Sequence, residues 1–134
     1  MKARTLNGVD TESEIRRVEA HLRESGWAEH ASLVREILTW TRLAHEVSDY
    51  VMTVDDYTND LCSRDYLADA LSSATDALRV VISTRIARAD ELFRASTVED
   101  VEARLGRHFQ ITAQDGWWWH RRPSSGPLAI FLSD

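Results

Sequence analysis

The spacing of hydrophobic positions divides the chain into a long helical part and a short extended part. Residues 27–105 contain no glycine and no proline, and apolar side chains recur there every three or four positions. Because glycine and proline are the strongest helix breakers, so long a stretch without either predicts long helices. Beyond residue 106 apolar and polar residues alternate, which is the period of a strand. The pattern predicts an α+β fold in one domain, helical over residues 11–105 and a β-meander over residues 106–134.

The centre of the fold is predicted to be an antiparallel hairpin of two long helices. The first of these covers residues 27–59 and the second residues 64–95, with the connection at residues 58–63. A break near Ser48 is the alternative, since serine can cap a helix. Two narrow apolar stripes on helices this long leave side surface uncovered. We therefore expect the hairpin to self-associate as a homodimer.

Two short helices are predicted to flank the hairpin. Thr11 and Glu14 fit a capping box, in which each side chain bonds the other residue's backbone N–H, and Gly26 ends that helix. A second capping box at residues 96–99 opens a short helix after the hairpin. The segment ahead of the first box, residues 1–10, is interpreted as a mobile arm.

Three strands are predicted at the end of the chain. Residues 107–113 alternate between apolar and polar side chains, and Asp115 with Gly116 is a hairpin turn signal. Residues 117–122 form the predicted return strand, and residues 128–132 a third strand. We expect a three-stranded antiparallel meander that packs against the helical hairpin.

Composition and charge are those of an ordinary globular protein. The 134 residues are 43% hydrophobic and 28% charged, enough for a single domain with its own core. Cys62 is the only cysteine, which excludes an intramolecular disulfide and fits a reducing compartment. The chain shows no apolar run of the kind found in signal peptides or membrane spans, so we expect a cytoplasmic protein.

The negative charge is concentrated between residues 46 and 76, around the predicted bend of the hairpin. That window holds eight acids and one base, a net of −7 against −6 for the whole chain. Four of the acids share one face of a helix: Glu46, Asp49, Asp56 and Asp60. Carboxylate oxygens suit Mg²⁺, so this stripe is a candidate metal site of a phosphohydrolase. The alternatives are a solvated face and a surface for a basic partner.

Arg85 interrupts the apolar stripe of the second long helix. In the predicted hairpin it lies opposite residues 38–46, so Glu46 or Glu36 could pair with it, or Trp40 could stack on it. A charge is rarely buried without a partner. We expect Arg85 either to form a structural pair or to bind an anion.

Three consecutive tryptophans begin the predicted return strand. Because side chains alternate on a strand, Trp118, His120 and Arg122 share one face. One face of the strand must cover the helices, and the other is open to a partner. Tryptophan and arginine are enriched in binding hot spots and also stack on unpaired bases. The acidic net charge disfavours a nucleic acid, so these residues are candidates for a protein interface.

The sequence contains no glycine-rich phosphate loop, serine nucleophile elbow or cluster of zinc ligands. The function favoured by the sequence is therefore a non-catalytic protein-interaction module of the inhibitor, immunity, antitoxin or assembly-factor type, with no cofactor. The first alternative is a metal-dependent phosphohydrolase that uses the acidic stripe with Mg²⁺. The second is nucleic-acid binding through the tryptophan and arginine strand.

Overall fold

The computed structural model describes residues 5–6 and 9–133, with side chains from residue 11 onward. This part of the chain forms five helices: α1 (Thr11–Glu24), α2 (Leu33–Glu46), α3 (Val54–Ser73), α4 (Asp76–Ala95) and α5 (Pro127–Ser133). It also forms two small antiparallel sheets, in which β1 (Thr5–Leu6) pairs with β2 (Val9–Asp10) and β3 (Thr97–Glu99) pairs with β4 (Arg121–Pro123). The protein is thus mostly helical with a minor antiparallel β component. No helix in the described ranges has both the length and the apolar composition to cross a lipid bilayer.

The first helix has the predicted ends. α1 begins at Thr11, and Gly26 follows it with φ +112°, a conformation that favours glycine. The N–H of Trp27 bonds the carbonyl of Leu22 and the N–H of Gly26 bonds that of Arg23, which is the Schellman pattern of helix termination. In the segment predicted as a mobile arm, strands β1 and β2 form a short hairpin, and the rest of that segment lies outside the described residues.

The predicted connection at residues 58–63 is wrong, because α3 passes through it without a break. The chain leaves α2 in a 3₁₀ turn at Val47–Asp49, close to the alternative break at Ser48. Thr53 then starts α3 through a capping box with Asp56. Since α3 starts well before residue 58, its acids are spread along the helix from Asp55 to Asp69 and are not gathered at a bend.

The hairpin of the structure is formed by α3 and α4, which are joined by a two-residue connection. The hydroxyl of Thr75 accepts from the N–H of Leu78 and caps α4. Arg79 donates from Nε to the carbonyl of Leu71 and from Nη2 to that of Ala74, both at 2.8 Å. These bonds satisfy the last carbonyls of α3, so the turn forms without glycine or proline.

Helix α2 packs across both members of this hairpin. The Ser63 hydroxyl donates to Glu36 Oε1 at 2.8 Å, and Arg42 Nη2 lies 3.8 Å from Asp60 Oδ1. As the residue number rises on α2 it falls on α3, so the two helices are antiparallel. The largest fully buried side chains form the core at this junction: Trp40, Tyr57, Tyr66, Phe93 and several leucines.

The predicted three-stranded meander is absent from the described residues. Residues 97–99, expected to be helical, form β3, which pairs with β4 through Val98 and Arg122. The tryptophans adopt a 3₁₀ turn at Trp117–His120, and the expected third strand is helix α5, with Pro127 at its first position. Proline is favoured there because its fixed φ suits a helix start and its missing N–H would have no helical partner.

Candidate functional site

Trp118, expected on an exposed strand face, lies in the interior. Trp118 and Trp119 are only 6% and 4% exposed, and the Nε1–H of each donates at 2.9 Å to Oδ1 of Asp65 on α3. The guanidinium carbon of Arg64 lies 4.3 Å from the centroid of the Trp118 ring. These contacts fasten the end of the chain to α3, so Trp118 contributes to the core and not to a surface.

His120 and Arg122, the other two residues of the predicted face, lie beside the small β3–β4 sheet. Arg122 Nε is 3.5 Å from Oδ1 of Asp100. His120 is exposed and borders a cleft with Trp117, on which the guanidinium of Arg94 stacks at 3.7 Å from the ring centroid. Because Arg94 already covers this face of Trp117, that indole face is not open to a nucleobase.

The four residues of the acidic stripe have separate roles. Asp56 caps α3 with Thr53, and Asp60 accepts a 2.9 Å bond from the Tyr50 hydroxyl. Burial raises the pKa of Asp60, and the bond from Tyr50 opposes that shift. Over the part of the chain that the structure describes, no three His, Cys, Asp or Glu side chains are grouped so that they could hold a metal ion. Glu46 and Asp49 are exposed near the end of α2.

Arg85 is exposed on α4, because the core face of that helix differs from the predicted stripe. The residues it buries are Leu78, Ile82, Ile86, Ala89, Asp90 and Phe93. Val81, which lies next to the buried Ile82 in sequence, is 42% exposed. Asp90 has to face Arg64 of α3, with which it forms a buried ion pair, and this contact fixes the rotation of α4. The residue pattern did not predict this pair, although Arg64 is the only base between residues 46 and 76.

A basic groove lies between α2 and α4 and contains Arg85. Its volume is about 450 Å³, and its lining is Ile37, Leu38, Thr41, His45, Arg85, Arg88, Ala89 and Leu92. Leu38 is 63% exposed, and the two arginines are exposed as well. No aspartate or glutamate is among these lining residues, so the groove combines apolar surface with positive charge.

An apolar patch is formed by the α2–α3 connection and helix α5. It consists of four large exposed side chains, Val51 at 70%, Met52 at 54%, Ile130 at 68% and Phe131 at 52%. Met52 and Phe131 border a groove of about 300 Å³ that is also lined by Thr53, Val54, Pro127 and Leu128. Helix α5, which contributes half of this patch, was predicted as a strand, although Pro127 at its first position is a signal that could have indicated a helix.

The patch is held in place by bonds between α5 and the α2–α3 connection. The N–H of Leu128 donates to the carbonyl of Tyr50 at 3.2 Å, and the Ser125 hydroxyl donates to the carbonyl of Ser48. Gly126 has φ +91°, and a β-carbon there would lie 2.8 Å from the Cα of Asp49. This close approach requires glycine, so the two halves of the patch have a defined relative position.

Acidic side chains border the apolar patch. Glu46 and Asp49 line a second concavity together with Val51 and Met52, and Asp55 follows Val54 in the first turn of α3. Lysine and arginine are missing among the residues that line the two concavities. The patch therefore presents apolar side chains inside a negative rim, the reverse of the charge of the basic groove.

Comparison with known proteins gives no guide to function, since no family model, curated protein or solved structure matches this chain.

Proposed function

We propose that this protein is a non-catalytic protein-interaction module that holds its partner on the acid-rimmed apolar patch. The observation that carries the proposal is the groove between Met52 and Phe131, both more than half accessible, with the exposed side chains of Val51 and Ile130 next to them in the chain. Soluble proteins rarely expose large apolar side chains in a contiguous group unless that surface meets another molecule. Inhibitors, immunity proteins, antitoxins and assembly factors all act through surfaces of this kind.

The chemistry of the patch defines the class of partner. The groove between Met52 and Phe131 accepts apolar side chains, and the negative rim at Glu46, Asp49 and Asp55 favours lysine or arginine around them. A helix with one apolar face and basic flanks meets both requirements, and such helices commonly dock in hydrophobic grooves. The localised negative charge also speeds the encounter with a basic partner.

A labelled synthetic helix tests the proposal directly. The probe is an amphipathic peptide with leucines on one face and lysines and arginines on the flanks, and its binding is measured by fluorescence anisotropy. An otherwise identical peptide with glutamates in the basic positions is the charge control. We expect the basic peptide to bind and the acidic peptide not to bind.

Two serine substitutions separate docking on the patch from general attraction between charges. Phe131→Ser and Val80→Ser each remove one exposed apolar side chain without altering charge, and Val80 lies on α4 outside both concavities of the patch. We expect Phe131→Ser to weaken binding of the basic peptide about 10-fold, since burying a large apolar side chain is worth about 1.5–3 kcal/mol. Val80→Ser should bind like the wild type. Equal affinity of the Phe131→Ser variant and the wild type would contradict the proposal.

A further inference from the structure

We infer that the surface seated on the apolar patch is the basic groove of a second copy of this chain, in a twofold dimer with two identical patch–groove contacts. The inference rests on the proposed function, because it names the partner of the same patch; the basic peptide then binds the wild type by competing with the groove of the second copy. It follows from the charges of the two surfaces, from their positions on the molecule and from the apolar area that they leave uncovered.

The two surfaces have complementary chemistry. The basic groove offers Leu38 and Leu92 with Arg85 and Arg88, and no acid lines it. The apolar patch offers the converse, large apolar side chains bordered by acids with no lysine or arginine in its lining. Opposite charges around a desolvated apolar centre are the usual arrangement of a specific interface.

Charge also decides which surface meets which. A contact of groove with groove sets the guanidinium groups of Arg85 and Arg88 against their own copies, and a contact of patch with patch sets acids against acids. Like charges brought together across an interface are costly. Only a contact of patch with groove joins opposite charges, so this is the pairing we infer.

The position of His45 allows this contact to close into a dimer. His45 lines the basic groove and also the concavity that contains Glu46, Asp49, Val51 and Met52. Patch and groove are therefore neighbours on one side of the molecule and meet at this residue. A twofold axis that passes near His45 lays the patch of each copy on the groove of the other, so two copies satisfy both surfaces and no filament forms.

Exposed apolar side chains contribute to both surfaces. Four of the eleven large hydrophobic side chains exposed in the described part of the chain line the basic groove or the two concavities of the patch: Leu38, Val51, Met52 and Phe131. A stable interface buries about 800 Å² on each partner. That is roughly one tenth of the 8042 Å² accessible surface of this protein.

A charge-exchange experiment tests the pairing. The groove variant carries Arg85→Glu with Arg88→Glu, and the rim variant carries Glu46→Arg with Asp55→Arg; their masses are measured by sedimentation velocity. We expect the wild type to sediment as a dimer and each variant alone as a monomer. An equimolar mixture should return to the dimer mass. In the mixed dimer, the native patch of the groove variant meets the native groove of the rim variant. At the other contact both charges are reversed, so they again attract. A monomeric wild type at the highest loading concentration, or a dimer formed by either variant alone, would overturn the inference.

A cross-linking experiment locates the axis without altering the charged rim. His45→Cys is made in a Cys62→Ser background, so the introduced thiol is the only one, and it is treated with a short bis-maleimide. Arg16→Cys in the same background is the control. Arg16 is exposed on α1, and no residue of α1 lines either surface. We expect covalent dimers from His45→Cys and none from Arg16→Cys. Equal yields from the two variants would reject an axis near His45.

The failure of this inference is distinguishable from the failure of the proposed function. If the wild type is monomeric but the basic peptide still binds and loses affinity in Phe131→Ser, the patch is a docking site for another protein and only the dimer is rejected. If Phe131→Ser leaves both the peptide affinity and the wild-type mass unchanged, the patch has no docking role and both proposals are rejected.

Discussion

Arg64 and Asp90 form a two-bonded ion pair inside the helical core. Nε of Arg64 lies 2.9 Å from Oδ1 of Asp90, and Nη2 lies 3.0 Å from Oδ2. The indole of Trp40 donates to the same Oδ1 at 2.9 Å. One carboxylate thereby joins helices α2, α3 and α4, and its charge is compensated by a guanidinium in the bidentate geometry that makes such bonds strong.

Removal of the Asp90 carboxylate should destabilise the protein severely. Asp90→Ala leaves the buried guanidinium of Arg64 uncompensated and Trp40 without its acceptor, so we expect the free energy of unfolding to fall by about 3–5 kcal/mol. The measurement is urea unfolding followed by circular dichroism at 222 nm. Glu102→Ala is the matched control, because Glu102 pairs with Arg104 at 3.0 Å but is 65% exposed. If Asp90→Ala lowers the free energy of unfolding no more than the control does, the ion pair does not stabilise the fold as expected.

The carboxyl of Asp65 should make stability depend on pH in a defined direction. Burial raises its pKa, and the bonds from Trp119 and Trp118 oppose that shift. The folded protein therefore holds this proton more tightly than the unfolded chain, whose aspartate pKa is about 3.9. The stability from Asp65 is fully present below that value and is lost as pH rises through the folded pKa.

Asp65→Asn isolates this contribution, because an amide does not titrate but keeps an oxygen that can accept from both indoles. The free energy of unfolding of the wild type minus that of Asp65→Asn should fall as pH rises from about 3.9 and become constant above the folded pKa. Urea unfolding at a series of pH values gives the difference. A difference that rises with pH over this range would contradict the assignment.

Gly116 should be intolerant of even one added carbon. A β-carbon at this position would lie 2.6 Å from Cε2 of Trp118 and closer still to two other atoms of the ring. We expect Gly116→Ala to displace the indole from Asp65 and to lower the free energy of unfolding by about 1–3 kcal/mol, as overpacking does. Gly106→Ala is the control, since its β-carbon meets nothing nearer than 3.8 Å. Equal melting temperatures for the two variants would show that Trp118 can move aside freely.

Divalent metal ions should leave the stability of the protein unchanged. Asp56 and Asp60, two of the four predicted ligands, already bond Thr53 and Tyr50. A specifically bound ion would raise the melting temperature, because it stabilises only the folded state. We expect no rise with millimolar Mg²⁺, Mn²⁺ or Ca²⁺. A saturable rise in melting temperature that is lost in Asp60→Asn would support a metal-dependent phosphohydrolase instead.

Local sequence signals predicted helix ends well where a special backbone geometry was required. Gly26 ends the first helical segment with a positive φ, and Thr11 is the first residue of α1. The connection between α3 and α4 was missed because it requires neither glycine nor proline. Its turn depends on Thr75 and on the side chain of Arg79, whose bonds to the end of α3 are not visible in a residue pattern.

The end of the chain could not be predicted from periodicity, because distant partners determine its structure. The alternation that predicted a strand includes Phe109, yet that ring is 43% exposed and stacks on Trp119 at 4.9 Å between centroids. Trp118 and Trp119 turn inward to bond Asp65, more than fifty residues earlier in the chain. A bond at that separation overrides local propensity.

The acids beside the candidate site could be read from the sequence, but its apolar residues could not. The concentration of acids suggested a surface for a basic partner, and Glu46 and Asp49 do border the apolar patch. The apolar half was missed because Phe131 was assigned to a strand, whereas it lies on α5 beside Met52. Arg85 was identified as unusual, but its exposure follows from the placement of Asp90 in the core.

The crowding of the indoles gives this protein a built-in optical reporter. The ring centroids of Trp40 and Trp117 are 6.5 Å apart, and those of Trp117 and Trp118 are 5.6 Å apart. Detachment of the tryptophan segment would separate Trp117 from Trp40 and bring the buried indoles of Trp118 and Trp119 into water. The tryptophan fluorescence would then shift, even with the long helices intact. Undocking of the chain end can thus be followed without an added dye.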